Sequence, residues 1–261
     1  MREVKLNENE FWDKKIILNL ELLPRKRFKI AQIYAIIVLL GLIGLYWFIS
    51  RILLSIFLGV SAVDYIQIVN SIIRLTIIIS FLILFRGNLN KFLISFNFSK
   101  VPVSRLETIL LIVGILSIIL FSMGYALYRV GYFAFMPIQE YFTTIPSALY
   151  YGIVEEIEFR GILLVFFMKW INSLINRKES QKNIKAIYYI VIILSAILFG
   201  PFYHNRYILS GEWILVITVT IFGLFAILTT LKLKTIRLAV IIHVLLDFIP
   251  FIFFGGAITK L

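Results

Sequence analysis

Residues Trp213–Leu231 read WILVITVTIFGLFAILTTL, a run without a charged side chain. Two further runs, Ile30–Ser50 and Leu110–Tyr128, are also free of charge. A helix needs about 20 apolar residues to cross a hydrocarbon core of about 30 Å. A helix on the surface of a water-soluble protein would instead place polar residues along one face. These runs therefore predict an all-α integral membrane protein.

Composition supports this prediction and argues against a nucleic-acid partner. Hydrophobic residues make up 61% of the 261 positions, charged residues only 15%, and mean hydropathy is +0.98. A soluble domain has about 25% charged residues. The net charge of +12 lies mainly between apolar runs, whereas a nucleic-acid binder needs a basic face on a folded soluble domain. The absence of cysteine excludes disulfides, thiolate metal sites and a cysteine nucleophile.

The apolar pattern predicts a polytopic bundle of about seven transmembrane helices with a cytoplasmic N-terminus. The spans are expected near residues 30–50, 66–85, 106–128, 146–168, 186–204, 212–231 and 238–255. The segments predicted to face the cytoplasm hold 20 of the 26 Lys and Arg residues, and the opposite loops hold four. Because positive residues favour the cytoplasmic side, this distribution predicts the cytoplasmic N-terminus. The predicted location is the plasma membrane, which the chain crosses several times.

No internal repeat or linker divides the chain, so residues 30–261 are predicted to form one membrane domain. Residues 1–29 are expected to precede it as a cytoplasmic or interfacial segment. Apolar residues at helical spacing in Phe11–Leu23, followed by the basic run Arg25–Arg27, suit the inner leaflet surface. A solvated tail is the alternative for this segment.

Ionisable residues within the predicted spans are candidates for function, because placing one in hydrocarbon costs from about 2.5 to more than 10 kcal/mol. They are few, and most lie in the C-terminal half: Arg74, Glu155, Glu156, Glu158, Arg160, His204, His243 and Asp247. Arg74 has three candidate partners, namely Asp64, Glu158 and a lipid phosphate. The sequence does not choose among them.

The densest group lies in the segment YGIVEEIEFRG, Tyr151–Gly161. Glu156 and Arg160 are four residues apart, so on a helix they share a face and can neutralise each other. Glu155 points about 100° away, toward a different neighbour. A purely structural ion pair would explain Glu156 and Arg160, but it would leave Glu155 without a partner.

Both histidines of the chain lie in or at the end of a predicted span. His243 and Asp247 are four residues apart and therefore share a face of the last span. A glutamate and a histidine that converge on one water can act as a general base for hydrolysis, and a second histidine can stabilise an oxyanion. The same residue types also suit a Zn²⁺ site or a proton relay in a transporter. The residue types alone leave these three possibilities open.

The order of the motifs resembles a known family. Glu155-Glu156-x-x-x-Arg160, then His204 at the end of a later span, then His243-x-x-x-Asp247 in the last span, are similar to the motifs of the CAAX protease and bacteriocin-processing family (CPBP, also called Abi). The resemblance covers about residues 146–250. It implies an intramembrane glutamate endopeptidase that needs no metal or other cofactor.

The resemblance also implies a role for each matched residue. Glu155 and His204 would activate the attacking water, and His243 and Asp247 would stabilise the oxyanion. Glu156 and Arg160 would support the helix and orient Glu155.

The chain departs from the family at one position. The usual second motif has a phenylalanine four residues before its histidine, but Gly200 occupies that position, and Phe199 lies five residues before His204. Because Pro201 lies between them and proline bends helices, a local kink or bulge would restore the alignment.

The function expected from the resemblance is hydrolysis of a membrane-associated or secreted peptide, which would be the partner of the site besides the lipid bilayer. One alternative is a catalytically silent relative that serves in bacteriocin self-immunity or as a membrane scaffold. A transporter is a further alternative, although transporters often carry inverted repeats and here the polar residues gather in one half.

Overall fold

The structure is a computed structural model that describes residues 25–42, 63–94, 105–129, 138–174 and 181–254, besides positions 44, 48, 49 and 52. All regular secondary structure in these ranges is helical, as predicted. Most of the predicted interfacial segment 1–29 lies outside the described residues.

The helices follow one another in a simple order. They are α1 (Arg25–Leu42), α2 (Val63–Phe85), α3 (Arg105–Arg129), α4 (Ile138–Glu156), α5 (Leu164–Leu174), α6 (Gln181–Ile197), α7 (Asn205–Leu209), α8 (Trp213–Leu233) and α9 (Arg237–Phe254). A short 3₁₀ turn, Leu89–Phe92, follows α2.

Two π-helical segments depart from regular α-helix. The first, Ile157–Leu163, joins α4 to α5 without a break, and the second, Leu198–Tyr203, continues α6. The sequence predicted span 146–168 as one helix. It is helical throughout, but part of it has π geometry. Such segments are rare and occur frequently at functional sites.

Three stretches are long and apolar enough to cross a membrane by length and composition: Ile68–Phe85 in α2, Arg105–Tyr125 in α3 and Trp213–Leu233 in α8. Large hydrophobic side chains on them, such as Leu120 and Ile221, are exposed, which suits contact with lipid. These findings support a membrane protein. Each of the other predicted spans overlaps a helix, but the total of seven spans and the cytoplasmic N-terminus remain predictions.

Helix α9 packs against both α3 and α4, and glycines allow the close approach. A Cβ atom on Gly152 of α4 would lie 2.6 Å from Val244 Cγ2 and 3.2 Å from Val244 Cα, while one on Gly114 of α3 would overlap Ile242. Small residues commonly permit such contacts between membrane helices. Ile242 and Val244 flank His243, so the two glycines fix the position of that histidine.

A buried ion pair also ties α9 to α3. Arg237 Nε donates to Glu107 Oε1 at 2.8 Å, and Nη2 donates to Glu107 Oε2. Both side chains are buried. The pair holds the first turn of α9, six residues before His243, against the first turn of α3.

The second π segment packs equally closely on α8. A Cβ on Gly200 would overlap Thr220, and one on Gly223 would lie 3.0 Å from Phe199 Cδ1. Phe199 belongs to the same buried core as Phe159 and Phe222. The two π segments therefore contribute to one buried core, and the polar residues meet beside it.

Candidate functional site

The first π segment and the end of α4 carry a buried charged cluster. Glu155 is 4% exposed, and Glu156, Glu158 and Arg160 are fully buried. Arg160 Nη1 lies 2.9 Å from Glu156 Oε1, so the pairing expected from the four-residue spacing is present. The Arg160 guanidinium carbon also lies 4.1 Å from the centre of the Phe199 ring, a distance typical of cation–π contacts.

Arg74 enters this cluster from α2. Its Nε donates to Glu158 Oε1 at 3.1 Å and its Nη2 donates to Glu158 Oε2, a bidentate geometry that suits a guanidinium and a carboxylate. Of the three partners that the sequence left open for Arg74, the structure thus assigns Glu158.

Glu155 is the carboxylate in excess. Within the cluster, Arg160 neutralises Glu156 and Arg74 neutralises Glu158, so the two guanidinium groups offset two of the three carboxylates. Glu155 Oε1 accepts a hydrogen bond of 2.7 Å from the Tyr203 hydroxyl and lies 3.8 Å from Arg74 Nη1. The partner that Glu155 was expected to find on another helix is therefore Tyr203 in the second π segment.

His243 lies between three carboxylates. Its Nδ1 is 2.8 Å from Glu156 Oε1, and its Nε2 is 3.7 Å both from Glu155 Oε2 and from Asp247 Oδ2. Because an ionised carboxylate only accepts hydrogen bonds, Nδ1 carries the proton in the contact with Glu156. Asp247 shares the face of α9 with His243, as its spacing predicts, and its side chain is 34% exposed whereas that of His243 is 3% exposed.

His204 directly follows the second π segment, and the position of its ring depends on the geometry of that segment. Its Nδ1 lies 2.8 Å from the Phe199 carbonyl oxygen, and the two rings are 4.9 Å apart. A π-helix pairs residues five apart by its hydrogen bonds, where an α-helix pairs residues four apart, so Phe199 and His204 meet although the sequence separates them by five positions. The bulge expected around Pro201 is present as π geometry, while the alignment of His204 with the family motif stays a prediction.

The hydrogen bond between His204 and the Phe199 carbonyl oxygen defines the tautomer of the ring. A carbonyl oxygen can only accept a hydrogen bond, so Nδ1 is the donor, and in the neutral ring Nε2 is then the basic nitrogen. His204 is also close enough to Glu155 to interact with it electrostatically, and it stacks on Tyr207 with ring centres 5.8 Å apart.

The structure thus brings the sequence-predicted residues into one cluster, although the closest contacts were not all foreseen. His243 was paired with Asp247 from the sequence, but its shortest contact is with Glu156. Tyr203 was missed. Its only signal in the sequence is its position beside His204, which is a weak one.

The described residues contain no group of three or more His, Cys, Asp or Glu side chains arranged to hold a metal ion. Within the cluster, Glu156 Oε2 and the three side-chain nitrogens of Arg160 have no hydrogen-bond partner, and the Arg160 guanidinium lies over the Phe199 ring. The arrangement offers a carboxylate, Glu155, and two imidazoles. The His204 ring is held by a backbone carbonyl oxygen, and the His243 ring is held by Glu156.

Comparison with known proteins identifies the region that carries this site. Residues 137–249 match the family described as type II CAAX prenyl endopeptidase, Rce1-like. The match covers a little under half of the chain and includes Glu155, His204, His243 and Asp247, so the resemblance inferred from the motifs is confirmed. The family is one of CAAX proteases and therefore of hydrolases. A search of curated proteins finds no match to the chain, and neither does a search of solved structures.

Proposed function

We propose that this protein is an intramembrane endopeptidase that hydrolyses a peptide bond of a membrane-associated or secreted peptide, with water activated by Glu155. The observation that carries the proposal is the charge balance of the buried cluster. Two carboxylates are neutralised by arginines, while Glu155 faces a tyrosine and an imidazole. A carboxylate without a dedicated guanidinium partner is suited to accept and release a proton.

In the proposed reaction, Glu155 accepts a proton from water, assisted by the basic Nε2 of His204. The water oxygen attacks the carbonyl carbon of the scissile bond, and the carbonyl becomes an oxyanion. Collapse of this intermediate breaks the C–N bond, and the proton taken up by the base passes to the leaving amine. The products are a new carboxylate and a new amine.

His243 is proposed to stabilise the oxyanion by donating a hydrogen bond from Nε2. This role requires an imidazolium, because Nδ1–H is already directed at Glu156. The carboxylates around the ring are compatible with that charge. Asp247 would orient the ring, and Glu156 and Arg160 would support the helix turn. Removing one oxyanion donor from a protease typically lowers kcat by about 10²–10³.

We expect the substrate to reach the site from the membrane, because the apolar helices around it expose large hydrophobic side chains. The proposed setting is a multi-pass protein of the plasma membrane. The name of the matched family points to prenylated peptides, and the bacteriocin-type peptides implied by the resemblance are a second class to test. Both classes are peptides that associate with a bilayer, and the cluster alone does not distinguish them.

The test compares peptide processing by wild type, Glu155→Gln and His204→Ala. Membrane-bound peptides would be analysed by mass spectrometry of cells and of proteoliposomes, at equal protein levels. Glu212→Gln is the matched control, because Glu212 accepts a hydrogen bond from Tyr125 and lies outside the cluster. We expect a peptide that is trimmed by wild type and by the control but by neither site variant.

Normal processing by Glu155→Gln would exclude catalysis by this site. If wild type trims no peptide while the variants still support the biological phenotype, the immunity or scaffold function would replace the proposal.

A further inference from the structure

The segment that matches the protease family begins at residue 137, yet one contributor to the cluster comes from outside it. Arg74 belongs to α2 and is 5% exposed. Its Nη1 donates to the Tyr203 hydroxyl at 2.6 Å, while its Nε and Nη2 bind Glu158. Tyr203 in turn donates to Glu155 Oε1 at 2.7 Å. Arg74, Tyr203 and Glu155 thus form a chain of hydrogen bonds that ends on the proposed base.

The direction of this chain follows from which groups can donate. A guanidinium has five N–H donors and no acceptor, so the Tyr203 oxygen must accept from Arg74. A phenol has only one proton, and that proton is then directed to the remaining partner, Glu155. Arg74 therefore compels Tyr203 to act as a donor toward the carboxylate.

Glu158 balances the positive charge of Arg74. It binds Arg74 with both carboxylate oxygens and is itself fully buried. The Arg74–Glu158 pair carries no net charge. What Arg74 supplies to Tyr203 and Glu155 is mainly an oriented donor.

We propose that Arg74 and Tyr203 are positioning residues for Glu155, and that α2 thereby completes the catalytic site from outside the family-matched region. This inference rests on the proposed function. The hydrogen bond from Tyr203 commits Glu155 Oε1 and leaves Oε2, the oxygen that faces His243 at 3.7 Å, to accept the proton from water. Without this hydrogen bond the carboxylate is free to rotate, and neither of its oxygens is held in the direction of the water.

The decisive variant is Tyr203→Phe, which removes one hydroxyl and keeps the ring that packs against Phe159 and His204. Loss of a hydrogen bond to a charged group typically lowers a rate or equilibrium constant by about 10- to 100-fold. We expect kcat for peptide hydrolysis to fall by about that factor, with KM changed by less than about twofold. Tyr34→Phe is the matched control, because it removes a hydroxyl that donates to Ser80 Oγ at 2.8 Å and not to a residue of the cluster.

Arg74 needs a paired substitution, because its removal alone would leave Glu158 as an uncompensated buried charge. Arg74→Gln combined with Glu158→Gln removes both charges together. We expect this double variant to fold and to lose kcat by a factor similar to that of Tyr203→Phe. A double variant with wild-type kcat would contradict the role of Arg74, even if Tyr203→Phe failed to fold.

A second measurement does not depend on catalysis. The carboxylate stretching band of Glu155 is isolated by infrared difference spectroscopy, as wild type minus Glu155→Gln, and again in proteins that also carry Tyr203→Phe or Tyr34→Phe. Loss of a hydrogen bond to one carboxylate oxygen shifts this band, so we expect a shift with Tyr203→Phe and none with Tyr34→Phe.

The two readouts separate the inference from the proposed function. An unchanged band with Tyr203→Phe overturns the positioning role whether or not the protein cleaves peptides. A shifted band with unchanged kcat also overturns it, since the bond would then exist without serving catalysis. If wild type hydrolyses no peptide, the proposed function fails, while the infrared band still decides whether Tyr203 and Arg74 hold Glu155.

Discussion

Gly152→Ala adds one methyl group, and the structure predicts that it displaces His243, the proposed oxyanion donor. The new Cβ would lie 2.6 Å from Val244 Cγ2, 3.0 Å from the Val244 backbone nitrogen and 3.2 Å from its Cα. Carbon atoms in good contact are about 3.5–4.0 Å apart. The Cγ2 methyl can rotate away, but the backbone atoms cannot. Helix α9 must therefore move from α4 by a few tenths of an ångström.

The energetic effect is the balance of two terms. Overpacking of this kind costs about 1–3 kcal/mol, and replacing glycine by alanine within a helix returns up to about 1 kcal/mol. We expect a net loss of stability of up to about 2 kcal/mol. We expect the loss of activity to exceed what the loss of stability alone would cause, because the new methyl group contacts Val244, the residue after His243. Since a displacement of about 1 Å can cost about 100-fold in rate, we expect kcat to fall by about tenfold.

Two alanine substitutions serve as controls. A Cβ on Gly124 would meet no atom within 4 Å, so Gly124→Ala should keep wild-type kcat and lose no stability. A Cβ on Gly114 would meet only side-chain atoms of Ile242, which can adopt another rotamer, so Gly114→Ala should have an intermediate effect. Thermal unfolding in detergent and kcat for peptide hydrolysis are measured on all three variants. Equal values for Gly152→Ala and Gly124→Ala would refute the argument that α4 and α9 are in backbone contact.

Two further predictions concern the ion pair between α3 and α9 and the absence of a metal from the mechanism. Glu107→Gln or Arg237→Gln alone should destabilise the protein by about 3–5 kcal/mol, and replacing both residues by methionine should restore most of that loss. An unfolding midpoint that is unchanged in the single variants would contradict the buried pair. Incubation with a strong zinc chelator should leave peptide hydrolysis unchanged. Loss of activity that added Zn²⁺ restores would instead identify a metalloenzyme.

The sequence predicted the parts of the site that depend on spacing within one helix. Glu156 and Arg160 are found together because residues four apart share a helical face, and this remains true although π geometry begins at Ile157. His243 and Asp247 lie together for the same reason. The membrane character likewise followed from runs of apolar residues, since hydropathy is a local property of the chain.

Contacts between helices were not predictable in the same way. The sequence indicated that Glu155 needs a partner from another helix, but Tyr203 lies 48 residues away and nothing in its neighbourhood marks it. Arg74 had three candidate partners, and the packing of α2 against α4 brings it to Glu158, in the π segment that continues α4. The contact of His243 with Glu156 depends on the close approach of α4 and α9, which in turn requires Gly152.

The second π segment is an intermediate case. The five-residue interval between Phe199 and His204, with Pro201 inside it, indicated a bulge. The sequence did not specify its geometry. The structure shows a π turn in which the His204 ring bonds to the Phe199 carbonyl oxygen.

The proposed hydrolysis of a peptide bond depends on the activation of water by Glu155. Its most direct test is cleavage of an identified peptide by the purified protein in proteoliposomes made in ¹⁸O-water, with wild type and Glu155→Gln compared at equal amounts of folded protein. We predict that wild type places one ¹⁸O atom in the new carboxylate and that Glu155→Gln forms essentially no product. Cleavage by Glu155→Gln at the wild-type rate would contradict this prediction.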